Sequence, residues 1–230
     1  MDNISCTVIG SPFKAISNSK NIFSIDDVSN LKESLPKFNS LYIGQGLSYE
    51  ENRSLVELVE SLDCDLNIID EATWLSKKTV HKHNINNVLI STLNKETENN
   101  FSFTVKISNN NELINDHITG LHIPAVVLTE AARQSLLSII ETYFEDKSLN
   151  MRFIINSTKN NFHNFVFPFN ISGQVQFYFL DETKLKTSIR AKVTIFQFNE
   201  VCSEFEFEAS LIPVKLADMT ESIQLSKRII

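Results

Sequence analysis

Residues 124–144 constrain this chain more than any other stretch. Leu128, Leu136, Leu137, Ile139, Ile140, Tyr143 and Phe144 fall nearly all round a helix rather than along one stripe. Such a helix has to be covered on most of its circumference. The chain beyond it reads almost entirely as strand: residues 151–156, 164–169, 174–180, 185–198 and 205–211. Ile189, Ala191, Val193 and Ile195 share one face of the fourth strand, and Phe205, Phe207, Ala209 and Leu211 one face of the fifth. Upstream, residues 87–91 and 101–107 read as two more. The economical solution is an α+β fold in which a curved antiparallel sheet wraps the helix and covers its apolar surface. Residues 215–230 are mixed in character and read as peripheral.

The first part of the chain has a different pattern. Residues 5–9 and 41–43 are short apolar runs, and the second ends in Gly44-Gln45-Gly46. Ser48, with Glu51 three residues on, has the form of a capping box. Leu55, Leu58, Val59 and Leu62 come next at helical spacing, and residues 66–69 return as a strand. Strand, helix, strand is the βαβ pattern. The chain therefore divides into a small α/β unit, residues 1–75, and a larger domain, residues 76–230. The polar stretch 70–78 links them, and its Trp74, the sole tryptophan, is expected to pack between the two parts. Gly44-Gln45-Gly46 after a strand suggests a phosphate loop. It is not a GxGxxG, however, and no lysine comes after it as in a P-loop, so it reads as a tight turn into a helix.

Composition excludes several function classes. The 17 phenylalanines and 42% hydrophobic content require an ordered core. A net charge of −7 without a basic cluster opposes nucleic-acid binding. Cys6, Cys64 and Cys202 are odd in number and widely spaced, which fits free thiols in a reducing compartment. His81, His83 and His163 are scattered with no metal-like spacing, and His81-Lys82-His83 reads as a solvated strand edge. There is no signal-like start and no apolar run of the roughly 20 residues that cross a bilayer. The expectation is a soluble, cytoplasmic protein with no metal, no bound cofactor and no membrane partner.

The chemistry gathers where a polar loop enters the buried helix. Pro124 suits a helix start because its missing N–H is not needed there. The free N–H groups of a first turn favour partial negative charge, which is the logic of an oxyanion hole. His117 lies a few residues upstream, and Glu130 lies nearly two turns into an otherwise apolar helix. A buried carboxylate is costly unless paired or protonated. His117 and Glu130 therefore read either as an acid–base pair or as structural groups, with Glu130 in an i,i+3 ion pair with Arg133 and Gln134 satisfying backbone.

The run Asp116-His117-x-x-Gly120-x-His122-Ile123-Pro124, continued by Leu128-x-Glu130-Ala131-Ala132-Arg133-Gln134, resembles the signature of the A-factor biosynthesis (A-factor synthase, AfsA-like) family. The likeness spans roughly residues 78–212. It implies a hotdog fold, a curved antiparallel sheet round a long central helix, preceded here by the small α/β unit. The implied activity is transfer of a β-ketoacyl group from a carrier thioester to a hydroxyl acceptor, on the way to a butyrolactone signal. Hotdog dehydratases offer a second comparison. His117-Ile118-Thr119-Gly120 resembles their His-Phe-Pro-Gly loop, Ile123-Pro124-Ala125 their Met-Pro-Gly turn, and Glu130-Ala131 their catalytic carboxylate. Here the loop is one residue shorter and Ala125 replaces the turn glycine.

By resemblance, His117 and Glu130 are the catalytic pair, and Gly120, His122, Pro124, Ala125, Arg133 and Gln134 contact substrate. The substrate is an acyl-pantetheine thioester, carried by an acyl carrier protein or coenzyme A. Family members have two hotdog repeats and this sequence shows one motif, so a homodimer is implied. The alternatives are a dehydratase or thioesterase on the same fold, and a non-catalytic acyl-binding or partner protein.

Overall fold

A computed structural model describes residues 4–17, 19–62, 66–69, 74–118 and 120–229. Two sheets organise it. The first holds β1 (Ser5–Ile9), β2 (Ile22–Ser24), β3 (Ser40–Ile43) and β4 (Asn67–Ile69) in the order β2-β1-β3-β4, with every pairing parallel. Between strands lie α1 (Val28–Ser34) and α2 (Tyr49–Ser61). The expected capping box starts α2: the Glu51 N–H donates to Ser48 Oγ at 3.0 Å, and the Ser48 N–H donates to Glu51 Oε2 at 2.7 Å. Val8, Leu41 and Ile43 pack with Leu31, Leu35, Leu55 and Val59. β2 and α1 enlarge the βαβ unit beyond the sequence expectation. A three-residue strand and a seven-residue helix carry too little periodicity to announce themselves.

The second sheet holds β5 (Ile90–Lys95), β6 (Asn100–Val105), β7 (Met151–Phe162), β8 (Ile171–Glu182), β9 (Thr187–Gln197) and β10 (Glu200–Pro213). Its order is β5-β6-β8-β9-β10-β7, antiparallel throughout. Helices α3 (Glu112–Asn115), α4 (Ala125–Tyr143), α5 (Glu145–Ser148) and α6 (Val214–Ser226) complete the chain. Phe101, Phe103, Val175, Phe177, Val193, Ile195, Phe205 and Phe207 form one core with Val127, Leu128, Ala131, Leu136, Ile139 and Ile140 of α4. Each large apolar side chain removed from water contributes about 1.5–3 kcal/mol. The sheet thus covers the helix as its sequence demands, and the arrangement is a hotdog. α6 is exposed over most of its length and is tied to β7 by Arg152, which bridges to Asp218 at 2.7 Å and Glu221 at 2.8 Å. No helix among the described residues is long and apolar enough to cross a membrane.

Three local expectations are corrected. Residues 164–169, expected as a strand, form a loop that contains Pro168 and gives the Val166 carbonyl to the Ile123 N–H at 2.7 Å. His81-Lys82-His83 is a turn rather than a strand edge, with His81 at φ +54°. Residues 85–87 form a 3-10 turn, and the ladder expected from residue 87 starts at Ile90. β7 also runs six residues further than its apolar start suggests. In its second half Ser157 to Asn160 are polar and exposed, so no alternation marks it.

The two sheets meet at Gly44-Gln45-Gly46. Gln45 is buried; its Nε2 donates to the carbonyls of Val105 (3.1 Å) and Phe169 (3.0 Å), and its Oε1 accepts the Ile107 N–H at 2.8 Å. The equally buried Lys106 reaches back, donating through Nζ to the carbonyls of Ile43 (3.2 Å) and Gly44 (2.8 Å). Gly46 sits at φ +83°, and a Cβ on Gly10 would lie 1.4 Å from the Gly46 carbonyl oxygen. The turn reading of this motif holds, and the turn serves as the junction between the sheets. Trp74 forms an isolated antiparallel bridge to Ser91 at the edge of the larger sheet. Gln45→Ala strands three buried backbone groups. It should lower stability by on the order of 2–4 kcal/mol, read from urea midpoints. A change under about 0.5 kcal/mol contradicts this account of the junction.

Candidate functional site

The only acidic side chain in the first four turns of α4 is Glu130, and the local fold surrounds it with donors. Arg133 lies one turn on and meets it in a fork: Nε donates to Oε2 at 2.7 Å and Nη2 to Oε1 at 2.8 Å. Gln134 Nε2 donates to Oε1 at 3.0 Å. Lys82, from the turn before β5, brings Nζ to Oε1 at 2.7 Å. Burial alone pushes the Glu130 carboxyl up. The hydrogen bonds from Arg133, Lys82 and Gln134, with the charge of Arg133, outweigh it and hold the carboxyl at about 2. Glu130 is therefore an ionised carboxylate at neutral pH, framed by two cations.

Gln134 is fully buried. Besides Glu130 it donates to the Asn87 carbonyl at 2.8 Å and accepts the Leu89 N–H at 2.8 Å. Its amide is committed to holding the lead into β5 against the helix. That same lead carries Lys82, so Gln134 also fixes the approach of Lys82 to Glu130.

The loop before α4 supplies the histidines. His117 and His122 stand edge-to-face with ring centroids 5.5 Å apart, and His122 lies 5.0 Å from the Phe165 ring. His117 is exposed and His122 half-buried. Around them Ile118 (98% exposed), Leu121 (52%) and Phe165 (71%) present apolar surface to solvent. Pro124 is the N-cap residue of α4, no side chain caps the helix among the described residues, and Ala125 is exposed at its first position. The N–H groups of Ala125 and Val126 thus have no intrahelical acceptor.

Gly120 explains how the loop is held. A Cβ there would lie 2.6 Å from the Pro12 carbonyl oxygen. Pro12 belongs to a 3-10 turn, Ser11–Ile16, whose Phe13 is buried in the core of the larger domain. The N-terminal unit therefore buttresses the histidine loop directly, which nothing in the sequence pattern indicates.

The structure gathers the predicted residues into two groups. Glu130, Arg133 and Gln134 form one, joined by Lys82; His117, Gly120, His122, Pro124 and Ala125 form the other at the helix start. Sequence reasoning missed Lys82, since it lies 48 positions from Glu130 with no periodic relation to it. The i,i+3 pairing of Glu130 with Arg133, and the use of Gln134 on backbone, agree with the structural alternative read from spacing. Elsewhere, His81 meets Glu141 at 2.9 Å and His163 meets Glu204 at 3.1 Å. Among the described residues no three His, Cys, Asp or Glu side chains gather as metal ligands. Burial pushes the Cys6 thiol up to about 12 and also raises Cys202, which disfavours the thiolate form in both; Cys64 lies outside the described residues.

Fold and helix-start geometry together define a hotdog domain with a polar patch on its central helix. The model of the A-factor biosynthesis hotdog domain (AfsA) matches residues 67–213, more than half of the chain. The chain belongs to the A-factor biosynthesis hotdog domain family. No curated protein sequence matches it. Solved structures of similar shape include a mutant thioesterase from Pseudomonas aeruginosa (7% identity, TM-score 0.41, 61% of this chain and 98% of that one). A hypothetical thioesterase with coenzyme A from Streptococcus pneumoniae is similar at 12% identity and TM-score 0.40, over 60% of this chain and 98% of that one. A thioesterase from Haemophilus influenzae is similar at 12% identity and TM-score 0.37, over 54% and 79%.

The depressed carboxyl carries a pH signature. A group lowered from 4.5 to about 2 stabilises the fold fully above 4.5, and that contribution drains away as pH falls toward 2. Glu130→Gln should flatten the decline of the urea midpoint between those limits, relative to the unaltered protein. An unchanged acid limb contradicts the ion-pair geometry.

Proposed function

We propose that this hotdog domain binds acyl thioesters at the start of α4 and transfers the acyl group, of β-ketoacyl type, to a hydroxyl acceptor. The observation that carries the reading is the helix start itself, where backbone N–H groups without intrahelical acceptors adjoin an exposed histidine loop with an apolar rim, one to two turns before a carboxylate held ionised in an otherwise apolar helix. In this reading the N–H groups of Ala125 and Val126 polarise the thioester carbonyl and stabilise its oxyanion. His117 takes the proton of the attacking hydroxyl and returns it to the leaving thiolate. A carboxylate held at about 2 is no proton donor at neutral pH. Glu130 therefore acts as a fixed charge that orients its neighbours, with Arg133 and Lys82 as the cationic side of the site. His122 and Gly120 shape the loop, and Gln134 positions Glu130. The acyl group arrives on the pantetheine arm of an acyl carrier protein or of coenzyme A.

The proposal includes a second copy of the chain. β7 is a 12-residue edge strand that pairs on one side with β10 and has no second strand partner among the described residues. Its unpaired backbone groups are a template for another strand. The proposed homodimer forms through this edge, and sedimentation equilibrium tests the dimer.

The experiment for the activity mixes the protein with 3-oxoacyl, 3-hydroxyacyl and saturated acyl thioesters, with and without an alcohol acceptor, and reads products by mass spectrometry. The expected product is an ester of the 3-oxoacyl group, formed only with the acceptor. His117→Ala should lower kcat by roughly 10²–10⁴ with an unchanged melting temperature. Hydrolysis or loss of water without acceptor supports the thioesterase or dehydratase reading instead. Tight acyl binding without turnover supports a non-catalytic acyl-binding protein.

A further inference from the structure

One face of the four-stranded sheet is only partly covered: Ile9 on it is buried in the hotdog core, while Tyr42 stays 38% exposed. The register sets Thr7 beside Ile22 on β2 and Tyr42 on β3. Strand alternation puts these three on the side opposite Val8, Leu41 and Ile43, which pack beneath α1 and α2. Parallel sheets are ordinarily covered on both faces. Here the less covered part of that side and one end of the hotdog sheet wall a cleft of about 640 Å³. Thr7, Lys20 and Tyr42 line it from the first side, and Phe169, Phe196 and Phe198 from the second. That volume lies within the range of small-molecule sites, which favour domain junctions. Among the described residues, Lys20 is the only charged side chain on its walls, in a chain whose net charge is −7.

A second observation concerns Phe198. It occupies the hairpin turn between β9 and β10 at φ +53°, and Asn199 next to it sits at φ +64°. Such turns favour Asn and Gly, and a bulky aromatic at positive φ is strained. The ring gains little burial in return: it is 71% exposed and meets the Phe169 ring at 5.7 Å. Strain retained without burial marks functional positions.

We propose that this cleft is a binding site for a small planar aromatic anion. Its ring lies against Phe198, Phe169 and Tyr42, and its negative group meets Lys20. The site is separate from the His117 loop and does not depend on the acyl-transfer reading.

The test is calorimetric titration of the full chain with naphthalene-2-sulfonate. The expected result is saturable one-site binding, with hexanesulfonate bound far more weakly. Phe198→Asn suits the positive φ, so it should leave the melting temperature unchanged or raised while weakening binding roughly tenfold, the scale of one lost ring stack. Lys20→Gln should weaken binding also, whereas His117→Ala should leave it unchanged. No saturable binding overturns the proposal, as do equal affinity for hexanesulfonate and full affinity in both cleft variants.

Discussion

A helix with apolar side chains round most of its circumference cannot rest on one face of a sheet; it has to be enclosed. That single desolvation requirement on α4 dictates the rest of this molecule. The six-stranded sheet curves because its inward aromatic residues, among them Phe101, Phe103, Phe177, Phe205 and Phe207, must reach round the helix. Once α4 is enclosed, any ionisable group on it faces a severe penalty unless donors are built in. Glu130 carries that penalty, and Arg133, Gln134 and Lys82 offset it. The polar patch is thus tied to the fold: the helix that makes the core also displays the charge, and the turn before β5 exists in its observed form partly to deliver Lys82.

The N-terminal unit takes its meaning from the same requirement. It contributes Ile9 and Phe13 to the larger core, and it presses Pro12 against Gly120 in the histidine loop. Gln45 and Lys106 exchange hydrogen bonds across the junction, so each unit satisfies buried groups of the other. The βαβ architecture ordinarily offers a ligand crevice beyond the carboxyl ends of its strands, at the point where strand order reverses. Here that point lies between β1 and β3, and the hotdog domain fills it with Lys106.

Much of this was legible in the sequence. The enclosed helix, the strands after it and the capping box at Ser48 all come from period and local chemistry, because burial imposes those patterns residue by residue. The pairing of Glu130 with Arg133 was legible for the same reason, being one helical turn apart. Lys82 was not, because ion pairs between distant segments leave no local trace. The stretch 164–169 misled because Phe165, Phe167 and Phe169 alternate like a strand, whereas Pro168 and the bond from Ile123 to Val166 make it a loop. The polar half of β7 was hidden because an edge strand facing water needs no apolar alternation.

The central claim is that the start of α4 is where an acyl thioester reacts. A crystal structure with a non-hydrolysable acyl-pantetheine analogue tests it most directly. The account predicts the analogue's carbonyl oxygen within hydrogen-bond distance of the Ala125 or Val126 N–H, with a His117 ring beside the reacting carbon. An analogue seated away from the α4 start, with both histidines untouched, contradicts it.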